Sequence, residues 1–275
     1  VTCSGEGHFI ESIATPLHGA LLEYRERMKS VSMLVYDGQP FYPELTDADI
    51  YALIRNSVDS LLLRPPKAAT SLWVGDKTPA YARHLGGINL LYPQARLFHI
   101  IRDPRDTVTS TLNYAARIDA VSGRAKDSRT RADVIVGAIG LWRSTMTEVE
   151  AHRQNLQGRL LELRYEDLQF NFANTFNKLA NHLELETHPA LIQKIERITS
   201  FQAASGGRRP GDKAPGEFHY SGAVGQFVSD LSPSEIELIE GQLGMMMSDY
   251  GYEASSEFED AASNQAPQYA VSHGR

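Results

Sequence analysis

Apolar residues along the chain fall into two kinds of run. Compact runs rich in β-branched and aromatic residues, at 72–74, 97–101 and 160–165, read as short buried strands. Longer stretches repeat apolar residues at helical spacing. Ile50, Leu53, Ile54, Val58, Leu61 and Leu62 make one helical face, and Thr46 with Asp49 supplies a capping box at its start. Ile135, Ala138, Ile139, Trp142, Met146 and Val149 form the buried stripe of a long helix from about 132 to 155. A last helix opens at Ser232-Pro233-Ser234-Glu235 and buries Ile236, Ile239, Leu243 and Met247. Helices are also expected over 9–24, broken or re-entered at Pro16, and over 81–91, 173–183 and 189–199.

The order strand 72–74, helix 81–91, strand 97–101 is a strand–helix–strand unit of about the minimum length. It implies parallel strands and a right-handed crossover. Polar loops follow both strands, on the edge where open α/β sheets bind ligands, so Lys77 and Arg102 are expected on one rim. Arg102 ends its strand, Asp103 is placed to cap a helix, and Pro104 takes the first helical position. Free N–H groups at a helix start beside a planar, permanently charged donor fork make an anion site. Ser110 follows Arg102 by eight residues, about two turns into the helix, where its hydroxyl could face the same ligand.

Composition narrows the class. A chain of 275 residues suits one α/β domain with appendages. We expect a domain over 1–253 and a disordered tail over 254–275. Twenty-seven basic against 34 acidic side chains leave a net charge of −7 with no long basic block. That argues against a nucleic-acid partner and a polybasic membrane binder. Cys3 is the single cysteine, so no internal disulfide forms, and a reducing compartment, the cytoplasm, is favoured. No apolar run reaches membrane-spanning length, and the start does not read as a signal peptide. Residue 1 is Val, so the chain is expected to be processed, trimmed or a fragment.

Polar features have two readings each. Glu6 is either a solvated carboxylate near a chain end or a general base. His8 with Glu11 lacks a third ligand, so no metal site is assigned. The carboxylates of Asp47 and Asp49 fit helix capping better than metal-assisted glycosyl transfer. Residues 122–131 read as a mobile connection. The Gly-, Pro- and charge-rich stretch 203–217 is a surface excursion or a cationic lid.

Gly-Asp-Lys-Thr-Pro at 75–79, Arg-Asp-Pro-Arg-Asp at 102–106 with Ser110 beyond it, and Leu-Arg-Tyr-Glu-Asp-Leu at 163–168 together resemble the sulfotransferase family. These enzymes use 3′-phosphoadenosine 5′-phosphosulfate (PAPS). The nearer likeness is to protein-tyrosine sulfotransferases and related bacterial enzymes, over about residues 3–252. The resemblance implies an α/β, P-loop-type nucleotide fold, with a central parallel sheet flanked by helices on both faces. It implies sulfo transfer from PAPS to an acceptor hydroxyl, leaving 3′-phosphoadenosine 5′-phosphate (PAP). By the same resemblance, Arg102 and Ser110 grip the 3′-phosphate and Tyr165 lies beside the adenosine phosphate. Lys77 sits near the sulfuryl group and bridging oxygen, Glu6 is the carboxylate base, and Arg208 and Arg209 belong to a basic loop over the nucleotide. The transferred group carries little charge, so no metal is required.

Two departures stand out. The family has a strand and a Gly/Ser/Thr-rich phosphosulfate loop upstream of the glutamate, and five residues before Glu6 do not hold it. The natural chain is therefore expected to be longer, and this chain alone inactive and short of a central strand. Gly225 stands where the tyrosine-sulfating branch has a serine. The acceptor stays open among a peptide tyrosine, a carbohydrate, a small alcohol and a carrier-bound acyl chain, as does the oligomeric state. A non-catalytic binder of 3′-phosphoadenosine nucleotides and a kinase-like transferase are the alternative readings.

Overall fold

The structure is a computed structural model that describes residues 1–122, 129–214, 217 and 219–255. Most of the expected connection over 122–131, and the expected tail from residue 256 on, lie outside the described residues. The described elements make an α/β chain in which helices predominate. They group into two compact units: 1–97 with 145–160, and 98–144 with 161 onward.

In the first unit, β1 (Thr2–Cys3) pairs in parallel with β2 (Val74–Gly75), Thr2 opposite Val74 and Cys3 opposite Gly75. The Trp73 carbonyl also accepts the Thr2 N–H at 2.8 Å, so the strand lies slightly later than the expected 72–74. After β1 a π turn, Ile10–Ala14, runs straight into α1 (Thr15–Val35). Pro16 neither breaks nor ends this helix. It falls in the first α turn, where its missing N–H is tolerated. It has no hydrogen for the Ser12 carbonyl, and the Thr15 N–H just before it reaches back five residues to Ile10.

The capping box at α2 (Asp47–Leu62) is formed, with the Thr46 N–H on Asp49 Oδ2 at 2.9 Å and the Asp49 N–H on Thr46 Oγ1 at 3.2 Å. Ile50, Ile54 and Val58 are buried with Ile10, Ala14, Ile88 and Leu91 in one core, while Leu53 is exposed. The single helix expected over 81–91 is divided. A 3-10 turn, Pro79–Arg83, ends at His84, whose extended φ of −132° precedes α3 (Leu85–Leu91). Leu85 packs with Val149 and Leu156 in a second small core.

β3 (Leu97–Ile101) lies beside β4 (Leu160–Arg164). The Leu97 N–H bonds the Arg159 carbonyl at 2.7 Å, and two residues on, His99 Nδ1 is 3.3 Å from Glu162 Oε1. Both chains advance together, as in a parallel pair. The expected sheet with 72–74 and 97–101 in one strand–helix–strand unit is not formed among the described residues. β2 is bonded to β1 and β3 to β4, and β2, two residues long, offers few groups for a second ladder.

α4 (Pro104–Ser122) follows β3, with Asp103 Oδ1 accepting the Arg105 N–H at 2.8 Å as its cap. α5 (Arg131–His152) buries the whole expected stripe. Tyr165 closes no strand. It opens α6 (Tyr165–Phe170), followed by α7 (Phe172–His182), α8 (Pro189–Thr199) and α9 (Phe201–Ala204). α10 (Phe227–Asp230) and α11 (Pro233–Asp249) end the described part, α11 behind its Ser232–Glu235 capping box. Among the described residues no helix is long and apolar enough to cross a membrane.

Candidate active site

The first unit builds one polar cluster on the two loops that leave β1 and β2. The Gly5 carbonyl accepts the Lys77 N–H at 3.1 Å, and Gly5 takes φ +118°, which its missing side chain permits. Three side chains after β2 then take three consecutive backbone N–H groups after β1. Asp76 accepts from Gly7 at 2.9 and 3.1 Å, Thr78 Oγ1 from His8 at 3.3 Å, and the Tyr81 hydroxyl from Phe9 at 2.8 Å. They fix the backbone that leads into the π turn and α1. Burial, with the Asp76 carboxylate beside it, pushes the Tyr81 hydroxyl up to about 12.

This stitching places Glu6 and Lys77 side by side, with Lys77 Nζ hydrogen-bonded to Glu6 Oε1. Both are open to solvent, at 40% and 64% side-chain exposure. His8 stands on the other side of Glu6, its Nε2 3.6 Å from Oε2. Sequence reasoning singled out Glu6 and Lys77 but missed Asp76, Thr78 and Tyr81. Among the described residues, no group of three or more His, Cys, Asp or Glu is arranged to hold a metal ion.

The second unit builds the other cluster at the end of β3. Trp142 Nε1–H holds the Arg102 carbonyl at 3.1 Å. The Arg102 guanidinium lies over the Tyr165 ring, 4.6 Å from its centroid. Its Nη2 donates to the Ala223 carbonyl at 3.2 Å and sits 3.6 Å from Asp106 Oδ2. Its Nε is buried and has no hydrogen-bond partner among the described residues. Burial pushes the Tyr165 phenol up, against the pull of Arg102.

The other arginine of Arg-Asp-Pro-Arg-Asp has a different task. Arg105 is buried and forked onto Asp103 at 3.0 and 2.7 Å, reaches Glu240 at 2.6 Å, and covers the Phe227 ring. Asp106 is fully buried and accepts the N–H groups of Gly225 at 2.8 Å and Phe227 at 3.0 Å. Burial pushes its carboxyl up, although Arg102 and those two donors pull the other way. Asp106 thus ties the first turn of α4 to the loop 221–227.

Ser110 is four residues beyond Asp106 on α4, exposed, and its hydroxyl makes no hydrogen bond among the described residues. Arg208 and Arg209 diverge. Arg208 donates to the carbonyls of Asp212 at 3.0 Å, Tyr220 at 3.1 Å and His219, so its fork closes its own loop. Arg209 is exposed and is engaged through its backbone, its N–H donating to Asp212 Oδ2 at 2.8 Å and its carbonyl accepting the Asp212 N–H at 3.0 Å. The described part of the Gly- and Pro-rich stretch is therefore a bonded loop.

Among solved structures, the chain is similar to mouse sulfotransferase SULT7A1 complexed with PAP, at 17% identity over 64% of this chain and 67% of that one, with a TM-score of 0.47. It is also similar to the sulfotransferase domain from the curacin biosynthetic pathway, at 18% identity over 82% of this chain and 78% of that one, with a TM-score of 0.43. No curated protein matches it. Residues 1–189 match the profile of the sulfotransferase family. That match spans most of the chain and carries Glu6, Lys77, Arg102, Ser110 and Tyr165, and the chain belongs to the sulfotransferase family.

Proposed function

We propose that the chain transfers a sulfo group from PAPS to the hydroxyl of an acceptor and releases PAP. The observation that carries this reading is the Arg102 guanidinium, held over Tyr165 with a buried Nε–H that has no partner among the described residues. Buried donors are normally satisfied, and an unsatisfied one on a permanent cation fits an anionic ligand. A 3′-phosphate is such a ligand. Tyr165 then lies beside that phosphate, Ser110 adds a hydroxyl from α4, and Arg209 adds charge. Arg208 joins them only by giving up carbonyls of its own loop. The family to which the chain belongs, and PAP in the mouse relative's structure, support the nucleotide class.

Sulfuryl transfer, like phosphoryl transfer, is expected to pass through a loose in-line transition state, in which positioning and charge stabilisation dominate. Glu6 removes the proton of the acceptor hydroxyl. The acceptor oxygen forms the new S–O bond as the bond from sulfur to the bridging oxygen breaks. Lys77 meets the negative charge that grows on that oxygen. The ion pair of Lys77 with Glu6 holds the two groups in one place before the nucleotide arrives.

Calorimetry tests the reading. PAP is expected to bind, adenosine 5′-phosphate to bind far more weakly, and Arg102→Ala to remove the difference. A folded protein that treats the two nucleotides alike would refute it.

A further inference from the structure

The loop after β1 holds a titratable group that this reaction has not used. His8 Nδ1 is 2.6 Å from Glu11 Oε1, while its Nε2 faces Glu6 Oε2 at 3.6 Å. Burial pushes the Glu11 carboxyl up, but its own backbone N–H, the bond and charge of the His8 ring and the charge of His84 outweigh that and leave it below the usual range. An ionised carboxylate only accepts hydrogen bonds, so the ring nitrogen facing it carries the hydrogen. The neutral ring then keeps its lone pair on Nε2, on the side of Glu6. A separation of 3.6 Å is too long for a hydrogen bond, as expected for two acceptors facing each other. One proton added between them joins them.

The backbone holds this arrangement in place. His8 adopts φ +51°, a region that residues with side chains seldom enter. The flanking N–H groups of Gly7 and Phe9 are fixed by Asp76 and Tyr81, and its own by Thr78. Such a conformation persists where the surroundings over-determine it.

We propose that His8 is a proton-relay residue, which Glu11 holds as the Nδ1–H tautomer so that Nε2 takes over the proton Glu6 receives from the acceptor. The relay rests on the sulfo transfer proposed above. The proton moves from hydroxyl to Glu6, to His8 Nε2 and then to water, while the hydroxyl electron pair forms the S–O bond and the broken bond's pair stays on PAP. The resulting imidazolium lies between two carboxylates, and Glu6 is reset as a carboxylate with Lys77 still on its other oxygen. The groups facing this ring are Glu6 and Glu11, with Lys77 behind Glu6 and His84 behind Glu11.

Nitrogen-15 NMR of the imidazole ring, on the whole chain at a pH where the ring is neutral, tests the relay. The expected signature is a protonated Nδ1 and a bare Nε2. Glu11→Gln is expected to move the ring towards the Nε2–H tautomer, and Glu6→Gln to shift the Nε2 resonance. A neutral wild-type ring protonated on Nε2, or a spectrum indifferent to both substitutions, overturns the proposal. PAP calorimetry on the same samples separates the two failures. Intact 3′-phosphate recognition with the wrong tautomer refutes only the relay, whereas lost recognition refutes the sulfotransferase reading beneath it.

Discussion

Tyr165, the first residue after β4, lies under the guanidinium of Arg102, the first residue after β3, at 4.6 Å. The stack fixes the plane of the cation. Removing the cation by Arg102→Ala is expected to weaken PAP by about 1.5–3 kcal/mol, the usual worth of a hydrogen bond to a charged group. Tyr165→Leu keeps an apolar side chain and loses the cation–π contact, about 0.5–1 kcal/mol. Calorimetry on the two folded variants gives the order, and equal losses would contradict it.

Among the described residues, the Asp106 carboxylate is the acceptor for two loop donors, the N–H groups of Gly225 and Phe227. Asp106→Ala strands both, at a cost of about 1–3 kcal/mol for each buried group left unsatisfied. Asp106→Asn retains one acceptor oxygen and is expected to fall between Ala and wild type. Urea unfolding midpoints test that ranking.

Glu6→Gln is expected to leave PAP affinity nearly unchanged and to slow sulfo transfer by roughly 10²–10⁴, the usual span of general-base catalysis. Lys77→Ala is expected to act on the rate as well. Single-turnover consumption of PAPS separates chemistry from binding, and a pure affinity loss in Lys77→Ala would contradict its role at the leaving oxygen.

Glu235 gives an acid-stability prediction with a defined sign. The Arg131 hydrogen bond, assisted by Ser232, lowers its carboxyl from 4.5 to about 2 despite burial. A carboxyl lowered on folding contributes stability that is fully present above its unfolded value and is lost as pH falls through the folded one. Wild type is therefore expected to lose its advantage over Glu235→Gln between about pH 4.5 and 2, as read from melting temperatures across that range.

Legibility in the sequence followed the range of the forces involved. Residues 97–101 and the 135–149 stripe were readable because their pattern is local, and so were the capping boxes at Thr46 and Ser232. The split of 81–91 at His84 was not, since its apolar spacing runs on unbroken. Asp76, Thr78 and Tyr81 were invisible as site residues because their partners lie 69 to 72 residues away, on backbone groups that leave no mark in a sequence. Arg102 and Arg105 share one short motif, yet one remains partly exposed over Tyr165 and the other is buried among Asp103 and Glu240. Arg208 was read as a cation for a ligand, and the fold spends its fork on three carbonyls.

The π turn over Ile10–Ala14 carries one residue more than ordinary winding allows. Each residue of an α-helix advances the direction of its side chains by about 100°. Glu11 and the loop before it therefore keep an angular phase of their own, offset from the stripe by which α1 packs. Deleting a single residue there would swing the acid–base cluster around the helix axis and leave the composition of that cluster unchanged. Residue count in this turn, as much as residue identity, sets the aim of the cluster.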